Sequence, residues 1–85
     1  MGLINKKMAK KIIIYSTPAC PYCLMAKEYF KKNNINYEEF DVSVDEKSAK
    51  EMIEKSHQLG VPVIDIDGSI IIGFDKAAID KALGL

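Results

Sequence analysis

The sequence predicts one α/β domain, a mixed four-stranded sheet with helices packed on both faces in the order β-α-β-α-β-β-α. Short runs of β-branched residues alternate with stretches whose apolar residues recur at helical spacing. A strand, a helix and a strand at the start predict a right-handed parallel unit. An Asp-Gly pair between the last two strands predicts an antiparallel hairpin. A length of 85 residues is that of one small domain.

The first half of the chain contains two predicted strands and one helix. Ile12–Tyr15 is an unbroken apolar run, typical of a strand buried on both faces. A helix is predicted from Pro21 to about Asn33 because apolar residues recur there at helical spacing. Its expected apolar face consists of Cys23, Ala26 and Phe30, widened by Leu24, Met25 and Tyr29. Tyr37–Val42 is predicted to be the second strand.

The third element pair begins at a capping signal. Ser43 and Glu46 have the spacing of a capping box, so a helix is predicted from this point to about Ser56. Its expected inward residues are Ala49, Met52 and Ile53. The single histidine, His57, is interpreted as part of the helix C-terminus, where a positive side chain is favoured.

The last part of the chain is predicted to form a hairpin and a helix. Val61–Ile66 and Ser69–Ile72 are strands joined by the Asp-Gly turn at residues 67–68. Gly73 ends the second of them. Asp75 then caps a helix over Lys76–Leu83, and Gly84 ends it.

Composition excludes several classes of function. Twelve Lys and Arg residues balance twelve Asp and Glu residues, so no basic face for nucleic acid is predicted. The longest apolar runs are too short to span a membrane, and the run after the N-terminal lysines is too short for a signal peptide. We expect a cytoplasmic monomer in which residues 1–9 form a flexible extension and residues 10–85 the domain.

The only two cysteines lie in Cys20-Pro21-Tyr22-Cys23, between the first strand and the first helix. A Cys-x-x-Cys at a helix start is a dithiol redox arrangement, since residues three apart share one helical face. Free N–H groups and the helix dipole stabilise a thiolate at the first cysteine. We therefore expect Cys20 to be the exposed nucleophile with a low pKa, and Cys23 to be the more buried resolving thiol.

Other interpretations of the cysteine pair are weaker. So short a loop constrains the unfolded chain little, which disfavours a structural disulfide. A closed zinc site needs about four ligands, and the chain provides two cysteines and one distant histidine. A metal or iron–sulfur carrier nevertheless stays open as the alternative from another class of protein. No metal and no organic cofactor is required by the dithiol interpretation.

Three motifs, in order, resemble those of the glutaredoxins and their small-redoxin relatives. They are Cys20-Pro21-Tyr22-Cys23, Gly60-Val61-Pro62-Val63 and Ile72-Gly73-Phe74-Asp75. The resemblance covers roughly residues 10–85 and implies a thioredoxin-like fold with thiol–disulfide oxidoreductase activity. It also implies that Pro62 is cis and that the backbone of Val61 pairs with an extended thiol substrate, as an added strand does.

The resemblance also supplies candidate substrate-binding residues around the dithiol. Gly73 permits a close approach by substrate. An apolar rim formed by Tyr22 and Phe74 around Cys20 is one interpretation of these two rings, and partial core burial is the other. The full set of candidates is Pro21, Tyr22, Thr17, Gln58, Val61, Pro62, Gly73, Phe74 and Asp75.

The chain departs from the glutathione-binding pattern of the family. Thr17 stands where a lysine or arginine is usual, Gly60 where a threonine is usual, Ile72 at the first of two glycines, and Lys76 at an acidic position. The resemblance therefore implies disulfide-containing proteins as substrates and either thioredoxin reductase or glutathione as electron donor. It adds ribonucleotide reductase as a candidate acceptor. A glutathione-dependent deglutathionylating enzyme is the alternative within the same class.

Overall fold

The computed structural model describes residues 11–84 and has the predicted order of elements. The elements are β1 (Ile12–Ser16), α1 (Pro21–Lys32), β2 (Glu38–Asp41), α2 (Glu46–Ser56), β3 (Val63–Ile66), β4 (Ser69–Ile72) and α3 (Lys76–Leu83). This confirms the thioredoxin-like arrangement. The extension predicted for residues 1–9 lies outside the described residues.

The sheet has the strand order β2-β1-β3-β4. β1 is parallel to β2 and antiparallel to β3, and β3 is antiparallel to β4. Tyr15, near the end of β1, lies opposite Val63 at the start of β3. The loop that leaves β1 and the loop that enters β3 therefore lie at the same end of the sheet.

Helices cover both faces of the sheet, as predicted. On one face α1 and α3 pack against alternate residues of β1, β3 and β4. This layer consists of Ile12, Ile14, Ala26, Phe30, Ile64, Ile66, Ile71, Ile79 and Leu83. On the other face α2 covers a smaller layer of Ile13, Tyr15, Met52 and Val63. The strand period of two assigns neighbouring isoleucines of β1 to opposite layers.

Two helices bury narrower faces than predicted. In α1, Cys23, Ala26 and Phe30 are fully buried, but Leu24 is 52% exposed and Met25 is 44% exposed. In α2, Met52 is buried, whereas Ile53 is exposed. The expectation that these three residues face the core is wrong, because a helix resting on one side of a sheet buries a single stripe.

The predicted capping box at Ser43 is also wrong. Asp45 is the N-cap of α2, and its carboxylate accepts hydrogen bonds from the Lys47 N–H and the Ser48 hydroxyl. Ser43 instead donates from its backbone N–H and its hydroxyl to the carboxylate of Asp41. The helix therefore begins at Glu46, where the acidic side chain meets the positive end of the dipole.

A polar cluster joins α2 to the sheet. The Tyr15 ring is fully buried, and its hydroxyl donates to Glu51 Oε1 at 2.6 Å. Lys55 Nζ donates to the same hydroxyl and to Asp65 Oδ2, both at 2.8 Å. Burial lowers the pKa of Lys55, but its hydrogen bonds to Asp65 and Tyr15 outweigh burial and raise the pKa. Asp65 Oδ1 in turn accepts from the Gly68 N–H at 2.8 Å, which fixes the hairpin turn.

Tyr15→Phe is expected to lower the free energy of unfolding by about 1–2 kcal/mol, because Glu51 loses its donor and Lys55 loses one acceptor. Tyr22→Phe is the matched control, since Tyr22 is 60% exposed and should leave stability unchanged. Urea denaturation of the two variants measures the difference. Equal midpoints for both variants would show that the cluster contributes nothing to stability.

Candidate active site

The dithiol motif makes the turn from β1 into α1. Cys20 is the N-cap of α1, with extended backbone angles, and Pro21 occupies the first turn. The Cys20 N–H donates to the Thr17 carbonyl at 3.3 Å. The Cys23 N–H donates to Cys20 Sγ at 3.1 Å. A helix N-cap needs an acceptor for such a free N–H, and here sulfur takes that place.

Capping changes the expected exposure of the first cysteine. The expectation of an exposed Cys20 is wrong, because only 8% of the residue is accessible. Its sulfur is turned back over the first turn of the helix to accept the Cys23 N–H. Cys23 is fully buried, as expected of the second thiol. Charge on Cys20 Sγ is thus stabilised by a hydrogen bond and by the N-terminus of the helix.

The second cysteine is held as a neutral thiol. Burial, followed by its interactions with the Cys20 sulfur, raises the pKa of Cys23 to about 12. The Thr17 backbone and the ammonium of Lys27 act in the opposite direction. Two of the influences that raise this pKa come from Cys20 itself, so they weaken once the Cys20 sulfur is bonded to another sulfur. Burial and the raised pKa together disfavour the thiolate form of Cys23 in the free protein.

The loop before β3 lies at the same end of the sheet as the dithiol motif. The Val61–Pro62 peptide bond is cis, as the resemblance implies. The Pro62 carbonyl accepts from the Gly73 N–H at 2.9 Å, which ties this loop to the end of β4. Gly73 has φ +79°, a conformation that L side chains rarely adopt. Within residues 11–84, no backbone hydrogen bond engages the N–H or carbonyl of Val61.

The other candidate binding residues differ in their exposure and in the contacts that they already make within the protein. Asp75 caps α3, and its Oδ1 accepts from the Ala78 N–H at 3.1 Å. Gln58 is exposed, and its backbone N–H donates to the Ser56 hydroxyl. Phe74 is half-buried and packs edge-on against Tyr29, with ring centroids 6.0 Å apart. Of the two rings expected to form a rim, Tyr22 is the exposed one, at 60%.

Positions that depart from the family pattern are also visible. Lys76 Nζ donates to Asp80 Oδ2 at 3.0 Å and lies 5.2 Å from the centroid of the Tyr29 ring. Tyr29 donates its hydroxyl to the other carboxylate oxygen of Asp80. The ammonium of Lys76 is therefore engaged within the α1–α3 contact. Ile72 is 53% exposed on the edge strand β4.

Sequence inspection missed a charged pair beside the dithiol. Lys27 Nζ donates to Glu39 Oε2 at 2.7 Å, and the buried Ser16 hydroxyl donates to the same oxygen at 2.8 Å. The hydrogen bond from Lys27 lowers the pKa of Glu39, and the same contact raises the pKa of Lys27. With 19% of its side chain exposed, Lys27 does not lie on a fully solvated face of α1. The sequence signal for this charged pair was the position of Lys27, one helical turn after Cys23.

Residues 11–84 contain neither a cluster of metal-ligand side chains nor a membrane-spanning helix. No group of three or more His, Cys, Asp or Glu side chains in this range is placed to hold a metal ion. None of the helices described in it has the length and apolarity needed to cross a membrane.

Comparison with known proteins decides the family. The glutaredoxin family model matches residues 12–71, which include both cysteines and Pro62. The chain belongs to the glutaredoxin family. It is 54% identical over 72 residues to an uncharacterised glutaredoxin-like 8.6 kDa protein from Clostridium pasteurianum, covering 85% of this chain and 96% of that one. Glutaredoxin 3 of Escherichia coli is 34% identical over 73 residues, covering 85% and 88% of the two chains.

Solved structures agree with this assignment. Glutaredoxin 1 from Francisella tularensis, crystallised with cacodylate, is 37% identical with a TM-score of 0.67, covering 91% of this chain and all of that one. The thioredoxin-like protein BC3987 is 35% identical with a TM-score of 0.80, covering 85% and 99% of the two chains. Members of this family are generally thiol–disulfide oxidoreductases.

The burial and pKa of Cys23 predict unequal alkylation of the two cysteines. With iodoacetamide at pH 8, Cys23→Ser, which keeps Cys20, should be modified at least about tenfold faster than Cys20→Ser, which keeps only the fully buried thiol of Cys23. Mass spectrometry of timed samples measures both rates. Faster modification of Cys20→Ser would reverse the assignment of the two cysteines.

Proposed function

We propose that this protein is a dithiol thiol–disulfide oxidoreductase that reduces disulfides through Cys20 and Cys23. The observation that carries the proposal is the hydrogen bond from the Cys23 N–H to Cys20 Sγ at the start of α1, with the Cys23 thiol buried behind it. The hydrogen bond stabilises negative charge on Cys20 Sγ, which favours Cys20 as the nucleophile. Burial keeps Cys23 available for the second step of the reaction. Family membership supports the same chemistry.

The reaction has two exchange steps. The Cys20 thiolate attacks one sulfur of a substrate disulfide, the substrate S–S bond breaks, and the first substrate thiolate leaves. Cys23 then loses its proton and attacks Cys20 Sγ, so the mixed disulfide breaks and the second substrate thiolate leaves. The departing thiolates take up protons. The substrate is reduced by two electrons, and the Cys20–Cys23 disulfide that forms is reduced again by an external donor.

Substrate binding is proposed to use the loop that faces the dithiol. The N–H and carbonyl of Val61 have no backbone hydrogen-bond partner within residues 11–84. Val61 immediately precedes the cis peptide bond, at the end of the sheet where Cys20 lies. An extended segment around a substrate disulfide can pair with these two groups as an added strand does. Such pairing recognises backbone rather than side chains, which suits disulfide-containing proteins of different sequences.

For the electron donor we propose thioredoxin reductase rather than glutathione. Lys76, at a position where the family uses an acidic residue to hold the glutathione amino group, brings a like charge that is fixed by Asp80. Tyr22 is 60% exposed next to Cys20, and we propose that a protein donor docks on the rim formed by Tyr22 and the half-buried Phe74. No organic cofactor takes part in this scheme, and ribonucleotide reductase is a candidate acceptor.

The second candidate is a glutathione-dependent glutaredoxin that acts on glutathionylated proteins, with glutathione as co-substrate. Several relatives that bear the name glutaredoxin favour it, including the protein of Escherichia coli. The backbone of Val61 and the side chains of Gln58 and Asp75 are the groups that remain for holding the tripeptide. A reducing cytoplasm is the compartment that we propose for either activity, because thiols are kept reduced there.

Cys23→Ser is expected to stop at the mixed disulfide, because the resolving thiol is gone. Incubation with a protein disulfide should yield a covalent adduct through Cys20, seen by non-reducing electrophoresis, and turnover should fall to background. Cys20→Ser, the matched control, should form no adduct. Full turnover by Cys23→Ser would show that Cys23 does not resolve the intermediate.

The donor proposal predicts weak use of glutathione. A missing charge-assisted hydrogen bond costs about 1.5–3 kcal/mol, so two such losses amount to roughly 100-fold or more in affinity if they add. Turnover should therefore be faster with NADPH and thioredoxin reductase than with glutathione and its reductase. Efficient turnover by millimolar glutathione would contradict the proposal and favour the second candidate.

A double variant tests which residues exclude glutathione. Ile72→Gly with Lys76→Asp should raise glutathione-dependent turnover, because it restores the glycine and the carboxylate of the family pattern. Ile72→Gly with Lys50→Asp is the control, since it makes the same charge change at an exposed position on α2. Equal turnover by the two double variants would exclude a specific role for position 76.

A further inference from the structure

A fixed positive charge lies one helical turn from the resolving cysteine. Lys27 follows Cys23 at i+4, so the two side chains lie on the same side of α1. The Lys27 side chain is only 19% exposed, so most of it lies against the protein. Lysine normally keeps its charge in water, so burial of this kind requires a partner.

The partner comes from β2 and is itself held by β1. Glu39 Oε2 accepts from Lys27 Nζ at 2.7 Å and from the Ser16 hydroxyl at 2.8 Å. Ser16 is buried at the end of β1, four residues before Cys20. These two bonds fix the position of the Lys27 ammonium relative to the strand that carries the dithiol loop.

The other groups near Cys23 leave Lys27 as the cation that acts on it. On α1 the titratable neighbour is Cys20, and in the preceding loop the backbone of Thr17 contributes a hydrogen bond. From the face of β2 that α1 covers, the charged residues are Glu39 and Asp41, and Tyr37 precedes the strand near Lys27. Glu38 lies on the opposite face of β2, opposite Ile13, and pairs with Lys11. Ser16, from β1, is neutral.

We propose that Lys27, held by Glu39 and Ser16, is a positioning residue that stabilises the Cys23 thiolate in the resolving step. The inference rests on the proposed dithiol function and identifies what makes its second step possible. In the free enzyme the charge on Cys20 opposes ionisation of Cys23. In the mixed disulfide that charge is absent, and the ammonium of Lys27 remains.

The step that Lys27 assists is balanced within the mixed disulfide. The Cys23 S–H bond breaks, the Cys23 sulfur bonds to Cys20 Sγ, and the bond from Cys20 Sγ to the substrate sulfur breaks. The substrate leaves as a thiolate and takes up a proton, directly or from water. A nearby cation lowers the cost of the Cys23 thiolate from which this exchange proceeds.

The test separates attack from resolution with 5,5′-dithiobis(2-nitrobenzoate). Attack by Cys20 on this symmetrical aromatic disulfide releases one coloured thiolate, and resolution by Cys23 releases a second. Stopped-flow absorbance across pH 5–10 gives the rate of each phase. In Lys27→Gln the second phase should be about tenfold slower at pH 7, with its midpoint about one pH unit higher.

Two controls separate charge near Cys23 from net charge and from folding. Lys31→Gln removes an exposed lysine one turn further along α1 and should leave the second phase unchanged. Lys27→Arg keeps the positive charge and the contact with Glu39, so it should restore the rate and the midpoint. Circular dichroism of each variant verifies the fold.

The possible outcomes are distinct. Equal second-phase rates and midpoints in Lys27→Gln and Lys31→Gln would overturn the role of Lys27, as would failure of Lys27→Arg to restore them. Release of only one coloured thiolate per molecule of the unaltered protein would instead refute Cys23 as the resolving thiol, and with it the proposed dithiol function.

Discussion

The antiparallel pairing of β1 with β3 is the constraint on which the site depends. It sets Tyr15 opposite Val63, so the chain leaves β1 and enters β3 at the same end of the sheet. The dithiol loop and the Val61–Pro62 loop come from distant parts of the sequence, and this pairing places both of them at one end of the sheet. The hydrogen bond from the Gly73 N–H to the Pro62 carbonyl then fixes the second loop to β4.

The start of α1 determines the chemical environment of Cys20. Because Cys20 is the N-cap of α1, the Cys23 N–H in the first turn has no acceptor within the helix. Cys20 Sγ accepts this hydrogen bond. The same contact that completes the helix also stabilises negative charge on sulfur and covers most of the residue. Structure and reactivity at Cys20 are therefore consequences of one interaction, and burial of Cys23 one turn later completes the division of roles between the thiols.

Local patterns in the sequence were sufficient for the elements and for the dithiol. Strand runs, the Asp-Gly turn and the cap at Asp75 depend on neighbouring residues, so they could be predicted. The cap of α2 could not, because Ser43 and Asp45 compete for the same role and Asp41 engages Ser43. Exposure of Leu24 likewise depends on where the sheet contacts α1, which periodicity alone does not specify.

The contact between Lys27 and Glu39 illustrates why part of the site was out of reach. The residues are twelve positions apart and meet only because β2 pairs in parallel with β1 and brings Glu39 beneath α1. Composition counts both residues as surface charges that cancel. Only the register of the sheet determines that they form a pair beside Cys23 and that Ser16 joins them.

The two faces of the sheet differ in kind, with consequences for motion. The layer under α1 and α3 has nine buried apolar residues, whereas the layer under α2 has four and a group of hydrogen-bonded charges. When α2 lifts from the sheet, water can replace those polar contacts at little cost, but it cannot replace apolar packing. Opening of α2 would therefore expose the face of the sheet opposite to α1, the helix whose first turn holds Cys20 and Cys23.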